Sequence, residues 1–190
     1  MFTPEDLVTV TDCVAAAWAR GLDRDWSVNA GTLEWSCTRT ADHAYDATLA
    51  IGFFLASRRQ DRYPDWGGLS TVGENATPEQ FVEAIAVAGR LVAGICTTTP
   101  ADVRAILMRH PVVLAPPSDF PPRAALEAIL HGHDVAQGLG VEFQPPRDAC
   151  ARLREHTKEW RHWHGGVWPP LQFTDDPWAD IVIASGRRIH

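Results

Sequence analysis

Lysine is nearly absent from the sequence, and acidic residues outnumber basic ones. Lys158 is the only lysine, so sixteen of the seventeen basic residues are arginines, and the net charge is -7 at pH 7. Because nucleic-acid phosphates are bound by clustered Lys and Arg side chains, this charge argues against a nucleic-acid partner.

Long apolar runs and secretory features are also lacking. No run approaches the roughly 20 apolar residues that a helix needs to cross a bilayer. The opening residues, MFTPEDLVTVTD, are acidic and contain no basic segment of the kind that begins a secretory signal. These absences predict a cytoplasmic protein with no membrane partner.

The four cysteines form no CxxC pair. Cys13, Cys37, Cys96 and Cys150 are widely spaced, and in a cytosolic chain we expect free thiols rather than a disulfide framework. Cys37 lies near a predicted helix N-terminus, where the pKa of a thiol can fall. The other interpretation of Cys37 is packing in the core.

Period-two alternation is too short anywhere to predict a sheet, whereas helix signals are frequent. Thr3 and Thr77 each precede a proline and acidic or amide residues, which is typical of a capped helix start. Apolar residues then recur at helical spacing. The predicted long helices run from Pro4 to about Gly21, from about Thr38 to Arg59, from Pro78 past Ile95, and from about Pro122 to Gln137.

Shorter helices and one long loop, residues 60–76, complete the prediction. At 190 residues with 45% hydrophobic residues, the chain suits one domain. We expect a single all-α domain, with a bundle over about 4–142 and a C-terminal extension over about 143–190. The shorter helical segments are Thr99-Pro100-Ala101-Asp102, about Asp148 to Trp160, and Asp176-Pro177 to Gly186.

Glu127 and His131 are spaced for a metal site. Four residues apart on one helix, they lie within about 40° of each other and one turn apart, so both reach one ion at about 2.0–2.2 Å. Asp134 lies on the same face and can support the ligands from behind. A third ligand must come from another helix, and His43 begins the apolar face of the second helix.

The segment from Glu127 to Asp134 has two other interpretations. Glu127 and His131 also fit a surface pair without metal. His131-Gly-His133-Asp134 resembles a metallo-hydrolase motif, but the two histidines would lie roughly 200° apart on a helix and could not share an ion.

Three segments resemble the DinB-like superfamily, specifically the N-terminal domain of mycothiol-dependent maleylpyruvate isomerase. WSCTRTADH resembles its tryptophan followed eight residues later by histidine, and EAILHGHDVAQGLG resembles its E-x-x-x-H-x-x-D-x-x-x-x-x-G segment. DPWADIVIASGR is similar to the ending of small proteins in this group. The resemblance implies a DinB-like antiparallel four-helix bundle with a short C-terminal helical extension. It also implies His43, Glu127 and His131 as metal ligands.

The resemblance further implies a divalent metal, zinc or another ion such as nickel, with mycothiol as cosubstrate. Three protein ligands leave a position for a thiol or water, and coordination favours the nucleophilic thiolate. Residues 141–190 are too few for the further domain of the isomerases, so we expect a stand-alone thiol S-transferase or isomerase acting on a small electrophile. The alternatives are a water-activating hydrolase or lyase, and a non-enzymatic bundle that binds a metal or small ligand.

No catalytic acid or base is assigned from the sequence. Trp35 is a possible wall of the pocket, and His162 and His164 either recognise a substrate or belong to a Trp-rich segment over the open end of the bundle. Arg187 and Arg188 fit an anion-binding role or a solvated terminus, and the sequence favours the solvated terminus. The expected partner is a small-molecule substrate, and the chain is expected to be a monomer or homodimer.

Overall fold

Helices make up most of the structure, a computed structural model that describes residues 1–64, 70–73, 75–108, 112–160 and 173–187. Within these ranges lie six α-helices and one two-stranded sheet, so the protein is mainly α. The elements are α1 (Pro4–Ala19), α2 (Cys37–Ser57), α3 (Pro78–Thr98), β1 (Ala105–Met108), β2 (Val113–Ala115), α4 (Phe120–Leu139), α5 (Arg147–Thr157) and α6 (Pro177–Ala184).

Local capping sets the helix starts, as predicted for α1 and α3. At α1 the Thr3 hydroxyl accepts from the Asp6 N–H at 3.2 Å, and the Asp6 carboxylate accepts from the Thr3 N–H at 3.0 Å. At α3 the Gln80 side chain accepts from the Thr77 N–H at 2.8 Å. These bonds satisfy N–H groups that have no partner within the helix.

The four long helices bury their apolar faces in two clusters of side chains. Helices α1 and α2 each pack against both α3 and α4. The Trp18 indole N–H of α1 donates to the Gly132 carbonyl of α4 at 3.2 Å, which fixes these two helices side by side. Leu7, Leu55 and Ile129 are fully buried in one cluster, and Ile85 is fully buried in the other.

A small antiparallel hairpin was not predicted. Thr99–Asp102 was expected to restart a helix, but turns there lead into β1, which pairs with β2 through Ala105 opposite Ala115 and Ile106 opposite Leu114. All four residues of β1 are buried, so the strand shows no polar and apolar alternation. Without that alternation, a short buried strand cannot be distinguished from a helix segment by periodicity.

The C-terminal helices agree with their predicted positions. Helix α6 begins after Asp176, whose side chain accepts from the Trp178 and Ala179 N–H groups, and it ends before Gly186. Helix α6 packs against α5. The segment with His162 and His164 lies outside the described residues.

Helix α3 is long and apolar enough to cross a membrane by length and composition, with a mean hydropathy of 1.5 over its best window. Of that window, 44% is buried inside the protein, and α3 packs against α1 and α2. Helix α3 is therefore packed within the bundle along part of its surface, and its apolar stretch is longer than the sequence pattern predicted.

Candidate metal centre

His43, Glu127 and His131 come together between α2 and α4. One ligand atom from each of these three side chains lies within 4.8 Å of the others, and all three residues are partly buried. The imidazole rings of His43 and His131 have centroids 4.8 Å apart and are nearly perpendicular. The structure therefore places the three predicted ligands in one group.

The donor set fits a divalent ion. Two imidazoles and one carboxylate form a known three-ligand set for catalytic zinc, and tetrahedral ligands of one ion lie about 3.4 Å from each other. His131 Nε2 is 3.7 Å from Glu127 Oε2, close to that spacing. Small side-chain rotations within the 4.8 Å group would complete it.

Charges around the group favour the forms that bind metal. Arg123 Nη1 lies 2.5 Å from Glu127 Oε1, which leaves the other carboxylate oxygen on the His131 side. Burial lowers the pKa of His43, and the neighbouring His131 lowers it further. A lower pKa keeps the His43 imidazole neutral near pH 7, and only the neutral ring coordinates an ion.

Asp134 lies next to His131, on the side away from Glu127. Its Oδ2 is 3.4 Å from His131 Nδ1, the nitrogen that faces away from Glu127. Burial alone would raise the pKa of Asp134, but the contacts with His131 and Arg187 outweigh it and lower that pKa. A carboxylate behind a ligating histidine is a recurrent arrangement in metal sites.

Arg187 has a contact that the sequence left open. Its guanidinium forms a bidentate pair with the Asp134 carboxylate, and the two side chains are only 15% and 3% exposed. Arg187 is therefore a buried partner of Asp134 rather than part of a solvated terminus. No local pattern pairs Arg187 with Asp134, because 53 residues separate the two.

A cavity opens directly beside the group. It has a volume of about 300 Å³ and is lined by Leu33, Glu34, Trp35, His43 and His131. The Trp35 ring meets His43 edge-on at a centroid distance of 5.2 Å, and the Arg39 guanidinium lies 4.2 Å above the Trp35 ring. Trp35 thus forms a wall of the pocket, as predicted, whereas His162 and His164 lie outside the described residues.

A second cleft shares Trp35 and His43 with this cavity. Asp42 and Asp46 of α2 accept backbone N–H groups of Val72 and Ser70 at 2.8 and 2.7 Å, respectively, and so hold this loop against the helix. Burial raises the pKa of Asp46. The cleft has a volume of about 400 Å³ and is lined by Trp35, Arg39, Asp42, His43, Asp46, Ser70 and Thr71.

The four cysteines take no part in the group, and all are free thiols, as predicted. Burial raises the pKa of Cys37 to about 11, and its thiol donates to the Val135 carbonyl at 3.7 Å. Burial also raises the pKa values of Cys96 and Cys150 to about 12. Despite its place at the start of α2, Cys37 is therefore a packed thiol and not a reactive one.

Comparison with known proteins identifies no relative of this chain. No protein-family model, no characterised protein and no solved structure matches the chain. Membership of the DinB-like superfamily therefore stays a prediction from the three quoted segments.

Proposed function

We propose that this protein is a metal-dependent enzyme that uses a low-molecular-weight thiol for S-transfer to, or isomerisation of, a small electrophile. One observation carries the proposal: His43, Glu127 and His131 converge within 4.8 Å beside a cavity of about 300 Å³. Three protein ligands next to an accessible cavity are typical of catalytic rather than structural zinc sites.

Each residue of the group has a distinct part in this proposal. His43 and His131 would supply nitrogen ligands and Glu127 an oxygen ligand, while Arg123 holds Glu127 from behind. A bound divalent ion would lower the pKa of a coordinated thiol, so that it is present as the nucleophilic thiolate. Trp35 packs edge-on against His43 at one side of the cavity.

The chain's own thiols favour an external thiol as the nucleophile. Cys37, Cys96 and Cys150 are buried, and burial raises the pKa of each. Burial raises the pKa of Cys13 as well, and its thiol contacts the Gln144 carbonyl. A thiol brought by a cosubstrate into the cavity avoids this cost, and mycothiol is the cosubstrate that the resemblance implies.

The topology of the helices is part of the same proposal. We propose a DinB-like antiparallel four-helix bundle, supported by the packing of α1 and α2 against both α3 and α4. We further propose that the ion is zinc or another divalent ion such as nickel. We expect the protein to be cytoplasmic and to bind a small-molecule substrate as a monomer or homodimer.

A cobalt-substituted protein tests the thiol step directly. Adding mycothiol should produce a thiolate-to-metal charge-transfer band in the visible and near-ultraviolet spectrum if the thiol binds the ion. An unchanged spectrum at saturating thiol would reject the proposal and favour a hydrolase or lyase that activates water. Absence of turnover with panels of both electrophiles and esters would favour the non-enzymatic, ligand-binding alternative.

A further inference from the structure

The end of α6 reaches the helix that carries two of the candidate ligands. Arg187 Nε lies 2.9 Å from Asp134 Oδ1 and 3.1 Å from Oδ2, and Arg187 Nη2 lies 2.7 Å from Oδ2. This fork matches the shape of a carboxylate and fixes its orientation, which a single hydrogen bond does not.

The backbone turns sharply after α6 and places Arg187 beside α4. Gly186 adopts a left-handed conformation with φ of 78°, and its N–H donates to the Ile183 carbonyl at 2.9 Å. The Arg187 N–H donates to the Val182 carbonyl at 3.2 Å. These two bonds form a Schellman motif, in which glycine permits the sharp turn out of the helix.

Helix α6 is also held by contacts that do not involve Arg187. Asp180 pairs with the Arg154 guanidinium of α5 and accepts from the Thr174 N–H at 3.1 Å and the Thr174 hydroxyl at 2.9 Å. This second anchor is separate from Asp134. The contact between Arg187 and Asp134 is therefore not the only one that holds α6.

The orientation of Asp134 decides how His131 is presented. Asp134 Oδ2 lies 3.4 Å from His131 Nδ1, a buried nitrogen that makes no hydrogen bond of normal geometry, and the negative carboxylate favours the tautomer that carries the proton on this nitrogen. The lone pair is then on Nε2, the nitrogen 3.7 Å from Glu127 Oε2. A carboxylate in this position fixes both the tautomer and the ring orientation of a ligating histidine.

We infer that Arg187 is a positioning residue of the metal centre, which acts on His131 through Asp134 and makes the C-terminal segment part of the site. The inference rests on the metal site of the proposed function. It adds a residue from a segment that the sequence analysis treated as an extension of the domain.

The test compares Arg187→Ala with Arg152→Ala. Arg152 forms a similar fork on Asp6, with Nε 2.9 Å from Oδ2 and Nη2 2.6 Å from Oδ1, but neither residue belongs to the metal group. We expect Arg187→Ala to weaken zinc binding about 10–100-fold, the usual effect of removing support for a ligand. Arg152→Ala should leave zinc affinity at the wild-type value. Affinity is measured by competition with a chromophoric chelator.

His131→Ala separates failure of the inference from failure of the proposed site. If His131→Ala loses zinc but Arg187→Ala binds it as tightly as wild type, the inference is wrong and the metal site stands. If His131→Ala itself keeps wild-type affinity, the metal site is wrong and the inference falls with it.

Arg187→Lys serves if Arg187→Ala does not fold. Lysine keeps the positive charge beside Asp134 but lacks the fork, so we expect a smaller, measurable loss of zinc affinity. Nitrogen NMR of the metal-free protein should also show the His131 proton on Nδ1 in the wild type and a mixture of tautomers in the variant. Wild-type affinity together with an unchanged tautomer would overturn the inference.

Discussion

His131 and His133 lie two residues apart on α4, yet they face different surroundings. His131 joins His43 and Glu127 beside a cavity, whereas His133 packs edge-on against Trp178 at 5.4 Å and lies 6.1 Å from Phe143. The two rings point away from each other because successive helix residues turn by about 100°. A histidine-rich motif therefore cannot be assigned to a metal as a unit; each residue has to be placed by its helix face.

The largest expected difference between the two histidines is in metal content. His131→Ala removes one of three protein ligands, so the variant should lose its metal during dialysis. His133→Ala should retain metal near the wild-type stoichiometry, because its ring contacts Phe143 and Trp178 instead. Plasma mass spectrometry of the dialysed proteins measures the stoichiometry.

Two further variants serve as controls for this comparison. His43→Ala and Glu127→Ala should behave like His131→Ala, since each supplies one member of the same group. Retention of metal by His131→Ala with its loss from His133→Ala would show that the triad is wrongly assigned.

Gly132, between the two histidines, should tolerate no side chain. A Cβ there would lie 2.7 Å from Val14 Cγ2 and 2.9 Å from Cγ1, so Gly132→Ala should lower the free energy of unfolding by about 1–3 kcal/mol. Urea denaturation of the metal-free protein measures this change.

Gly94 of α3 provides the matched control. A Cβ at Gly94 meets nothing within 4 Å, so Gly94→Ala should raise the free energy of unfolding by about 0.5–1 kcal/mol through better helix propensity. A similar, small effect of both substitutions would show that α1 and α4 do not pack as closely as described.

His133→Ala should have a smaller effect on stability than Gly132→Ala. It removes ring contacts with Phe143 and Trp178 that hold the region after α4 against α6, and such contacts contribute about 0.5–1.5 kcal/mol each. We expect a loss of about 1–2 kcal/mol, measured by urea denaturation of the metal-free protein. His133→Phe should recover part of it if aromatic packing is the cause.

The smallest expected effect is the contribution of Asp6, which is far from both histidines in the sequence, to stability at neutral pH. Burial would raise the pKa of Asp6, but contacts with Arg152 and Thr3 outweigh burial and lower it. A lowered folded-state pKa gives stability that is present above the unfolded value of about 3.9 and is lost as pH falls through the folded value. Because Arg152 is 43% exposed, this contribution should be at most about 1 kcal/mol.

Denaturation of wild type and Asp6→Asn between pH 2 and 7 measures the contribution of Asp6. The variant should lose part of the stability of the wild type near neutral pH and show a shallower decline below about pH 4. Parallel curves for the two proteins would contradict the lowered pKa.

The sequence predicted best those features that depend on neighbouring residues. The starts of α1 and α3 follow from Thr3 and Thr77, because a capping box involves residues only three apart. The shared helix face of Glu127 and His131 was also predicted, because residues four apart on a helix are neighbours. The hairpin was missed because burial of all of β1 removes the alternation that marks a strand.

His43 and Arg187 mark the limit of prediction from local pattern. His43 was proposed because a third ligand had to come from another helix and because WSCTRTADH resembles a known signature; nothing in the spacing of His43 from Glu127 requires contact. Arg187 was left open, since a basic residue near a chain end is usually solvated. Only the packed structure shows it 15% exposed and paired with Asp134.

By itself, the sequence determined where the long helices begin and which face of α4 carries Glu127 and His131, because helix geometry and capping act over one or two turns. Tertiary structure alone decided that His43 of α2 lies within 4.8 Å of them and that Arg187 supports Asp134 from behind. These contacts depend on how helices pack, which is set by the fit of whole buried surfaces. A local sequence motif therefore cannot predict these contacts.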